Sequence, residues 1–160
     1  MTNRNRAANT ARTFYAAIAE GNAAKAVSLM SKEAIWVTVE ALGNSIDDEL
    51  ELLSEFITRS GSEQYGEGWS ITMNGRGPRE ILEYVLNPLA QQGTEYVPSS
   101  TEFKEESDRI VSLGDYKNGG RRVGEAGKSG YAHVLAVRNG KIYRLLQFLY
   151  SFSVSEAVLH

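Results

Sequence analysis

His133 is the first residue whose chemistry stands out, because the only other histidine is His160, the last residue of the chain. An imidazole with an ordinary pKa of about 6.5 exchanges protons close to neutral pH. His133 is therefore a candidate general base, or a donor to a substrate oxygen. The alternative is a half-buried histidine whose nitrogens are bonded to its neighbours.

Three tyrosines and one tryptophan are candidates for contacting a substrate, namely Tyr15, Tyr131, Tyr150 and Trp36. A phenol in an apolar cavity can donate a hydrogen bond to a developing oxyanion. Such tyrosines also pack as ordinary core side chains, with the hydroxyl bonded nearby. We expect Trp36 to form a wall of a cavity rather than to take part in chemistry.

Glu40 and Asp115 are the candidate catalytic carboxylates. Glu40 ends the first predicted strand, and Asp115 lies in Gly114-Asp115-Tyr116. Burial there would raise the pKa of a carboxyl group and make it a base or a neutral acid, whereas an acid at a strand end is otherwise simply solvated. No cluster of acids and histidines suits a metal, and cysteine is absent, so we predict neither a metal site nor a disulfide.

The dipeptide Asn139-Gly140 predicts which side chains lie near His133. Asn-Gly between two β patterns favours a two-residue type I′ hairpin, which pairs Arg138 with Lys141 and His133 with Leu146. Because side chains alternate between faces, one face is predicted to carry Tyr131, His133, Leu135, Arg144, Leu146, Phe148 and Tyr150. The other face then carries Ala132, Val134, Ala136, Tyr143, Leu145, Gln147 and Leu149. Both faces are largely apolar, so we expect one to face a cavity and the other a partner subunit.

Helical patterns dominate the first part of the chain. Apolar residues spaced by three and four predict a helix over residues 4–20, ended by Gly21, and a second helix that Asn22 caps and that extends to Met30. A short strand follows at residues 34–39. A capping-box-like start at Ser45 and Asp48 opens an amphipathic helix at about 46–59, and a short strand or turn follows at 69–73. A further helix opens at Gly77-Pro78, and Pro88 is expected to kink or end it.

The second part of the chain reads as β-structure. Its candidate strands cover residues 94–103, 109–116, 123–138 and 142–152, with a glycine-rich hairpin end around Arg121-Arg122. Helices that precede a run of strands indicate an α+β fold. We expect a strongly curved antiparallel or mixed sheet with the N-terminal helices on its concave face, which leaves a cone that can hold a ligand.

The overall composition narrows the class of protein. The chain has 160 residues, 20 acidic and 17 basic residues, and a net charge of −3. A mildly acidic chain with scattered basic residues has no long-range attraction for phosphate backbones, so nucleic acid is not an expected partner. The polar N-terminus shows no signal peptide, and no apolar run approaches the roughly 20 residues that span a bilayer. We therefore expect a cytoplasmic protein with no membrane partner.

Three stretches of the chain carry a resemblance to a known family. They are residues 11–22 with the Ile35-Trp36 strand, residues 74–81, and residues 131–142. The sequence resembles the SnoaL-like branch of the nuclear-transport-factor-2-like superfamily, which includes ketosteroid isomerase, limonene epoxide hydrolase and scytalone dehydratase. The resemblance implies a single domain over residues 1–160. A helical insertion at about 41–70 would lie over the cavity or extend a dimer contact.

The last strand departs from the family pattern. Many members read approximately Arg-Glu-Tyr-x-Asp there, but this chain has Leu146-Gln147-Phe148-Leu149-Tyr150. Gln147 stands where Glu is common and Tyr150 where Asp is common, so a catalytic acid of the relatives is missing. Both residues are nevertheless candidates for contacting a substrate.

The resemblance implies a protein that holds a small apolar molecule in an enclosed cavity. As an enzyme it would be a cofactor-free isomerase, cyclase, dehydratase or epoxide hydrolase. The missing acid leaves open a non-catalytic module that binds a ligand, or a module that only dimerises. We expect a homodimer through the sheet in each case.

Overall fold

A tight turn joins the first two helices in the computed structural model, which describes residues 3–41, 46–59, 69–103, 109–119, 121–122 and 130–150. Helix α1 covers Asn3–Ala19 and helix α2 covers Ala23–Ser28. Gly21 has a positive φ of 73°, and the amides of Gly21 and Asn22 donate to the carbonyl oxygens of Ile18 and Ala17. The Asn22 side chain then accepts from the Lys25 amide at 3.1 Å. Both predicted caps are confirmed.

Strand β1 covers Met30–Ala41, so it begins four residues before the predicted strand. Met30 continues the helical pattern in sequence but is the first residue of the strand, because α2 ends at Ser28. Helix α3 covers Ile46–Arg59, as predicted, and strand β2 covers Trp69–Arg76. The capping role predicted for Ser45 falls outside the described residues.

The helical segment after β2 continues through Pro88 instead of ending there. It consists of α4 (Gly77–Ile81), a π-helical turn (Leu82–Leu86) and α5 (Asn87–Gln91). In the π turn, the Asn87 amide donates to the Leu82 oxygen, five residues back. Proline normally clashes with the carbonyl four residues before it, and a wider turn at this point gives the ring room. Of the two predicted alternatives, a kink or an end at Pro88, the second was wrong, because the helical segment continues to Gln91.

The strands of the remaining chain join β1 and β2 in one curved mixed sheet. Its strands are β3 (Thr94–Phe103), β4 (Arg109–Asn118), β5 (Arg121–Arg122), β6 (Gly130–Arg138) and β7 (Lys141–Tyr150). The order is β2-β1-β7-β6-β4-β3, with β5 paired to β4. Only the β1–β7 pair is parallel among the described pairs. Positive φ angles at Asn139 and Gly140 confirm the type I′ turn between β6 and β7, and the predicted α+β fold class is confirmed as well.

Helices cover both faces of this sheet. The concave face packs against α1, α2 and the α4–α5 segment around Phe14, Trp36, Ile81 and Leu135. Helix α3 lies on the other face, where Leu53 and Phe56 join a core with Val39, Val134 and Phe148. The Phe56 and Phe148 rings are 5.7 Å apart. The second face is thus partly covered by the chain itself, and α3 does not lie over the concave side.

Gly114 is a point where two strands approach closely. It lies in β4 opposite a bulge of β3, where the pairing passes from Pro98–Gly114 to Ser100–Leu113. A Cβ atom at Gly114 would lie 2.0 Å from the Val97 carbonyl oxygen. We expect Gly114→Ala to lower the free energy of unfolding by about 2 kcal/mol, because backbone atoms must move to admit the methyl group. Urea unfolding followed by circular dichroism measures the loss.

The control is Ser70→Ala on the exposed side of edge strand β2, which should change the free energy of unfolding by less than about 0.5 kcal/mol. A Gly114→Ala variant as stable as the unmodified protein would show that β3 shifts away without cost.

Candidate functional site

His133 lies at the centre of an aromatic cluster on the concave face. Its side chain is 0% exposed. The Tyr15 ring stacks on it at 5.8 Å between centroids with an interplanar angle of 7°. Tyr131 and Tyr96 approach at 4.5 and 4.6 Å, and Trp36 meets it edge-on at 6.0 Å. Helix α1 and strands β1, β3 and β6 therefore enclose the imidazole with four aromatic rings.

Both ring nitrogens of His133 have hydrogen-bond partners. Nε2 lies 2.8 Å from Gln147 Oε1, and Nδ1 lies 2.8 Å from the Tyr15 hydroxyl. An amide oxygen only accepts, so Nε2 carries the proton and donates to it. In a neutral imidazole Nδ1 is then the acceptor, and the Tyr15 hydroxyl donates to it. The neighbours thus determine the tautomer of His133.

Gln147 extends this network across the sheet. Its Oε1 also accepts from the Tyr96 hydroxyl at 2.9 Å, and its Nε2 donates to Thr38 Oγ1 at 3.0 Å. The Thr38 hydroxyl in turn donates to Asn74 Oδ1 at 2.6 Å. We call Tyr15, His133, Gln147, Tyr96, Thr38 and Asn74 the concave network. Each hydrogen bond in it has one donor and one acceptor, so the arrangement is internally consistent.

Burial keeps this network uncharged. It lowers the pKa of His133 to about 3, and the hydrogen bond to Gln147 only partly opposes that shift. Burial also raises the pKa of Tyr15 and of Tyr96 well above the ordinary value of a phenol. Near neutral pH the phenols and the imidazole are therefore neutral. His133 is then a weak base, because a general base works best with a pKa close to the working pH.

Two further predicted residues lie on the same face. The Tyr131 hydroxyl is 3.0 Å from Ser112 Oγ, on the neighbouring strand β4. Trp36 is fully buried between Phe14 and His133, and its Nε1 has no hydrogen-bond partner among the described residues. The structure thus brings together Tyr15, Trp36, Tyr131, His133 and Gln147 from the sequence-based candidates.

The predicted pairing of β6 with β7 was wrong beyond the turn. Val137 pairs with Ile142 but Ala136 pairs with Arg144, so Tyr143 is an extra residue in β7. This bulge shifts the register by one and exchanges the two faces of β7. His133 therefore pairs with Gln147 rather than with Leu146.

Tyr150 is placed on the opposite face by the same shift. It packs against Phe148 with ring centroids 5.9 Å apart, and its hydroxyl donates to the Tyr131 carbonyl oxygen at 2.9 Å. Tyr150 therefore contacts the start of β6 from the face of the sheet that α3 covers, and it does not line the concave face.

The two candidate carboxylates do not join the concave network. Asp115 is two and four residues after Leu113 and Val111 on β4, so the three side chains share one face. Val111 and Leu113 belong to the core under α3, and Asp115 therefore points away from His133. Its Oδ1 is buried and has no hydrogen-bond partner among the described residues. Glu40 is half-buried and lies on the side of β1 that carries Trp36 and Thr38, near the strand end. Within the described part of the chain, no three acids and histidines are grouped as a metal site requires.

Sequence reasoning did not identify Tyr96 and Thr38. Thr38 follows Trp36 by two residues, and this alternation was the available signal for its placement on the same face. Tyr96 gave no such signal, because its contact with Gln147 depends on the order of the strands and on the curvature of the whole sheet.

The sequence matches no known family model and no curated protein. Solved structures nevertheless share its fold. A candidate isomerase from Bacillus subtilis is 16% identical, with 99% of this chain and 96% of that chain covered and a TM-score of 0.60. An NTF2-like protein of unknown function from Burkholderia pseudomallei is 16% identical, with 99% and 97% covered and a TM-score of 0.56. A candidate polyketide cyclase from Sinorhizobium meliloti is 10% identical, with 87% and 93% covered and a TM-score of 0.54.

Identities this low establish the fold alone, and they agree with the resemblance seen in the sequence. The chain therefore has the NTF2-like α+β fold, a curved mixed sheet whose concave face holds helices and the His133 cluster.

Proposed function

We propose that this protein binds a small, uncharged and largely apolar molecule between α1 and the concave face of the sheet. The observation that carries this proposal is the concave network itself. A connected set of neutral hydrogen-bonding side chains lies in the middle of an aromatic core. Ligand sites commonly combine apolar walls with a few fixed polar groups in this way.

The electrical neutrality of the site supports an uncharged ligand. Tyr15, Tyr96 and Tyr131 are buried, and burial holds the pKa of each phenol above its ordinary value. His133 is neutral near neutral pH because burial lowers its pKa. A charged ligand would lose its hydration without meeting an opposite charge in the network, which is costly in free energy.

The second candidate is an enzyme of the same fold, working without a cofactor on such a molecule. It is favoured by the names of the structural neighbours, which include a candidate isomerase and a candidate polyketide cyclase. A Tyr15 or Tyr96 hydroxyl that turned from its present acceptor to a ligand oxygen would stabilise a developing oxyanion. In this candidate Glu40 is the better placed acid, since Asp115 lies on the other face, and the catalytic roles of His133, Asp115 and Glu40 stay predictions.

The test compares an uncharged probe with a charged one of similar size. We expect α-tetralone to raise the melting temperature in a saturable manner and the benzoate anion to leave it unchanged. At ten times its Kd the ketone should add about 1.4 kcal/mol of stability, or roughly 3–5 °C. Equal stabilisation by benzoate, or none by the ketone, would contradict the proposal for this ligand class.

Chromatography of the incubated ketone then separates the two candidates. Full recovery of unchanged ketone supports a binding protein. A product that appears only with the protein present supports the enzyme.

A homodimer through the sheet is part of the proposal. Ile71 and Met73 on edge strand β2 are 52% and 41% exposed, and they pair with Val39 and Val37 beside the core under α3. A second copy would cover them, and gel filtration at micromolar concentration tests this. In the ranges that the structure describes, no helix has the length and apolar character needed to cross a bilayer. The cytoplasmic location is proposed from the sequence.

A further inference from the structure

Trp36 has a buried indole N–H donor in the core between α1 and the concave face of the sheet. It lies in β1 on the concave face and is 0% exposed. Its Nε1 is buried and has no hydrogen-bond partner among the described residues. An indole N–H buried without an acceptor is unusual, because buried polar groups in folded proteins nearly always have one.

The two aromatic side chains in contact with Trp36 in the described part of the chain offer no acceptor of their own. The Phe14 ring, 6.2 Å away, has no polar atom. The His133 ring, 6.0 Å away, already donates from Nε2 to Gln147 and accepts at Nδ1 from Tyr15. Neither side chain can satisfy the indole without breaking the concave network.

The described hydroxyls of the concave face around His133 have hydrogen-bond partners. Tyr15, Tyr96 and Thr38 each donate within the concave network, and Tyr131 bonds Ser112. The remaining buried polar atoms without a partner in the described residues belong to Ser31 at the start of β1 and to Arg109 and Asp115. Arg109 and Asp115 lie on the same face of β4 as Val111, which is the face covered by α3 and not the concave face.

We propose that the Trp36 indole N–H is the hydrogen-bond anchor for an acceptor oxygen of the bound molecule. An indole nitrogen donates only, so the complementary group is an acceptor such as a carbonyl or ether oxygen. This inference rests on the proposed function and narrows it to small, uncharged molecules that carry such an oxygen. The apolar remainder of the ligand would lie against Phe14 and the tyrosine rings.

A single water molecule is a poor alternative occupant. Buried waters usually make about three hydrogen bonds. At Trp36 a water would find the indole N–H as a donor, whereas the Phe14 ring has no polar atom and both His133 nitrogens are already bonded. A ligand oxygen needs only that one bond, since burial of its apolar part supplies the rest of the affinity.

The experiment uses a matched pair of probes on the full chain. The probes α-tetralone and tetralin differ by one carbonyl oxygen. The indole N–H signals of the two tryptophans are followed by NMR, and Trp69→Phe assigns them. We expect α-tetralone to move the Trp36 signal downfield and tetralin to leave it near its free position. Trp69, on the other face of the sheet, should respond to neither.

The Trp36→Phe variant then removes the donor and keeps an aromatic ring. We expect the affinity for α-tetralone relative to tetralin to fall by about tenfold, the size of one net hydrogen bond. Trp69→Phe should leave that ratio unchanged. Taking a ratio cancels the loss of ring volume, which affects both probes alike.

Three contrary outcomes are distinguishable. If both probes bind equally well and the Trp36 signal does not respond to the ketone, the anchor is wrong while the proposed binding function stands. If neither probe binds, both proposals fail. An indole signal that is already downfield in the free protein and unchanged by the ketone would assign the partner to water and overturn the anchor.

Discussion

Replacing His133 with alanine is expected to lower the free energy of unfolding by about 4 kcal/mol. The substitution removes a fully buried ring from among four aromatic neighbours, and large-to-small changes of this size cost about 3–5 kcal/mol. It also leaves the Tyr15 hydroxyl without its acceptor and Gln147 Oε1 without one of its two donors. Urea unfolding with an unchanged m-value measures the effect.

The matched control is Tyr84→Ala, which deletes an aromatic ring that is 62% exposed. This change should cost no more than about 0.5 kcal/mol. A His133→Ala variant that loses less than about 1 kcal/mol would show that His133 is not held in the core as described.

The stability of the protein is expected to rise by about 3 kcal/mol between pH 4 and pH 7 because of His133 alone. Burial lowers the pKa of His133 from 6.5 in the unfolded chain to about 3 in the folded one. Between those values the unfolded state binds a proton that the folded state does not. Stability therefore increases with pH across this window, is fully present above about 6.5, and is lost as the pH falls.

The comparison with His133→Gln isolates this contribution. Glutamine does not titrate in this pH window. The free energy of unfolding of the variant should therefore rise less steeply with pH, by an amount that corresponds to up to one bound proton. Urea midpoints at several pH values give both slopes. Parallel slopes for the two proteins would mean that His133 has an ordinary pKa and is reached by solvent.

Local signals in the sequence predicted the elements that depend on local chemistry. Gly21 and Asn22 set the end of α1 and the start of α2, because one adopts a positive φ and the other caps with its side chain. Asn139-Gly140 set the β6–β7 turn in the same way. The apolar spacing of residues 46–59 likewise gave α3 with correct bounds.

The site itself was only partly predictable. His133, Tyr15, Trp36 and Tyr131 were placed together correctly, because strand alternation and the inward face of α1 depend on periodicity alone. No residue type around Tyr143 predicts the bulge there. The bulge puts Gln147, and not Tyr150, on the face that carries His133. Its position coincides with the Ile142 amide donating to the Leu29 oxygen, a contact between distant parts of the chain.

Helix α3 also depends on distant contacts for its location. Its amphipathic pattern predicts a buried face but not which surface covers that face. The structure puts Phe56 against Phe148, which lies about ninety residues later in the chain, on strand β7. A helix pattern alone therefore predicted the element and not the layer that it completes.

The chain has two tryptophans, and the sheet separates them. Trp36 lies in the core under α1, while Trp69 lies in the core under α3, with its ring 5.7 Å from that of Phe148. Each layer of the protein thus contains its own native fluorophore. Single-tryptophan variants can report by intrinsic fluorescence whether the α3 layer separates before the α1 layer melts or both layers unfold in one cooperative step.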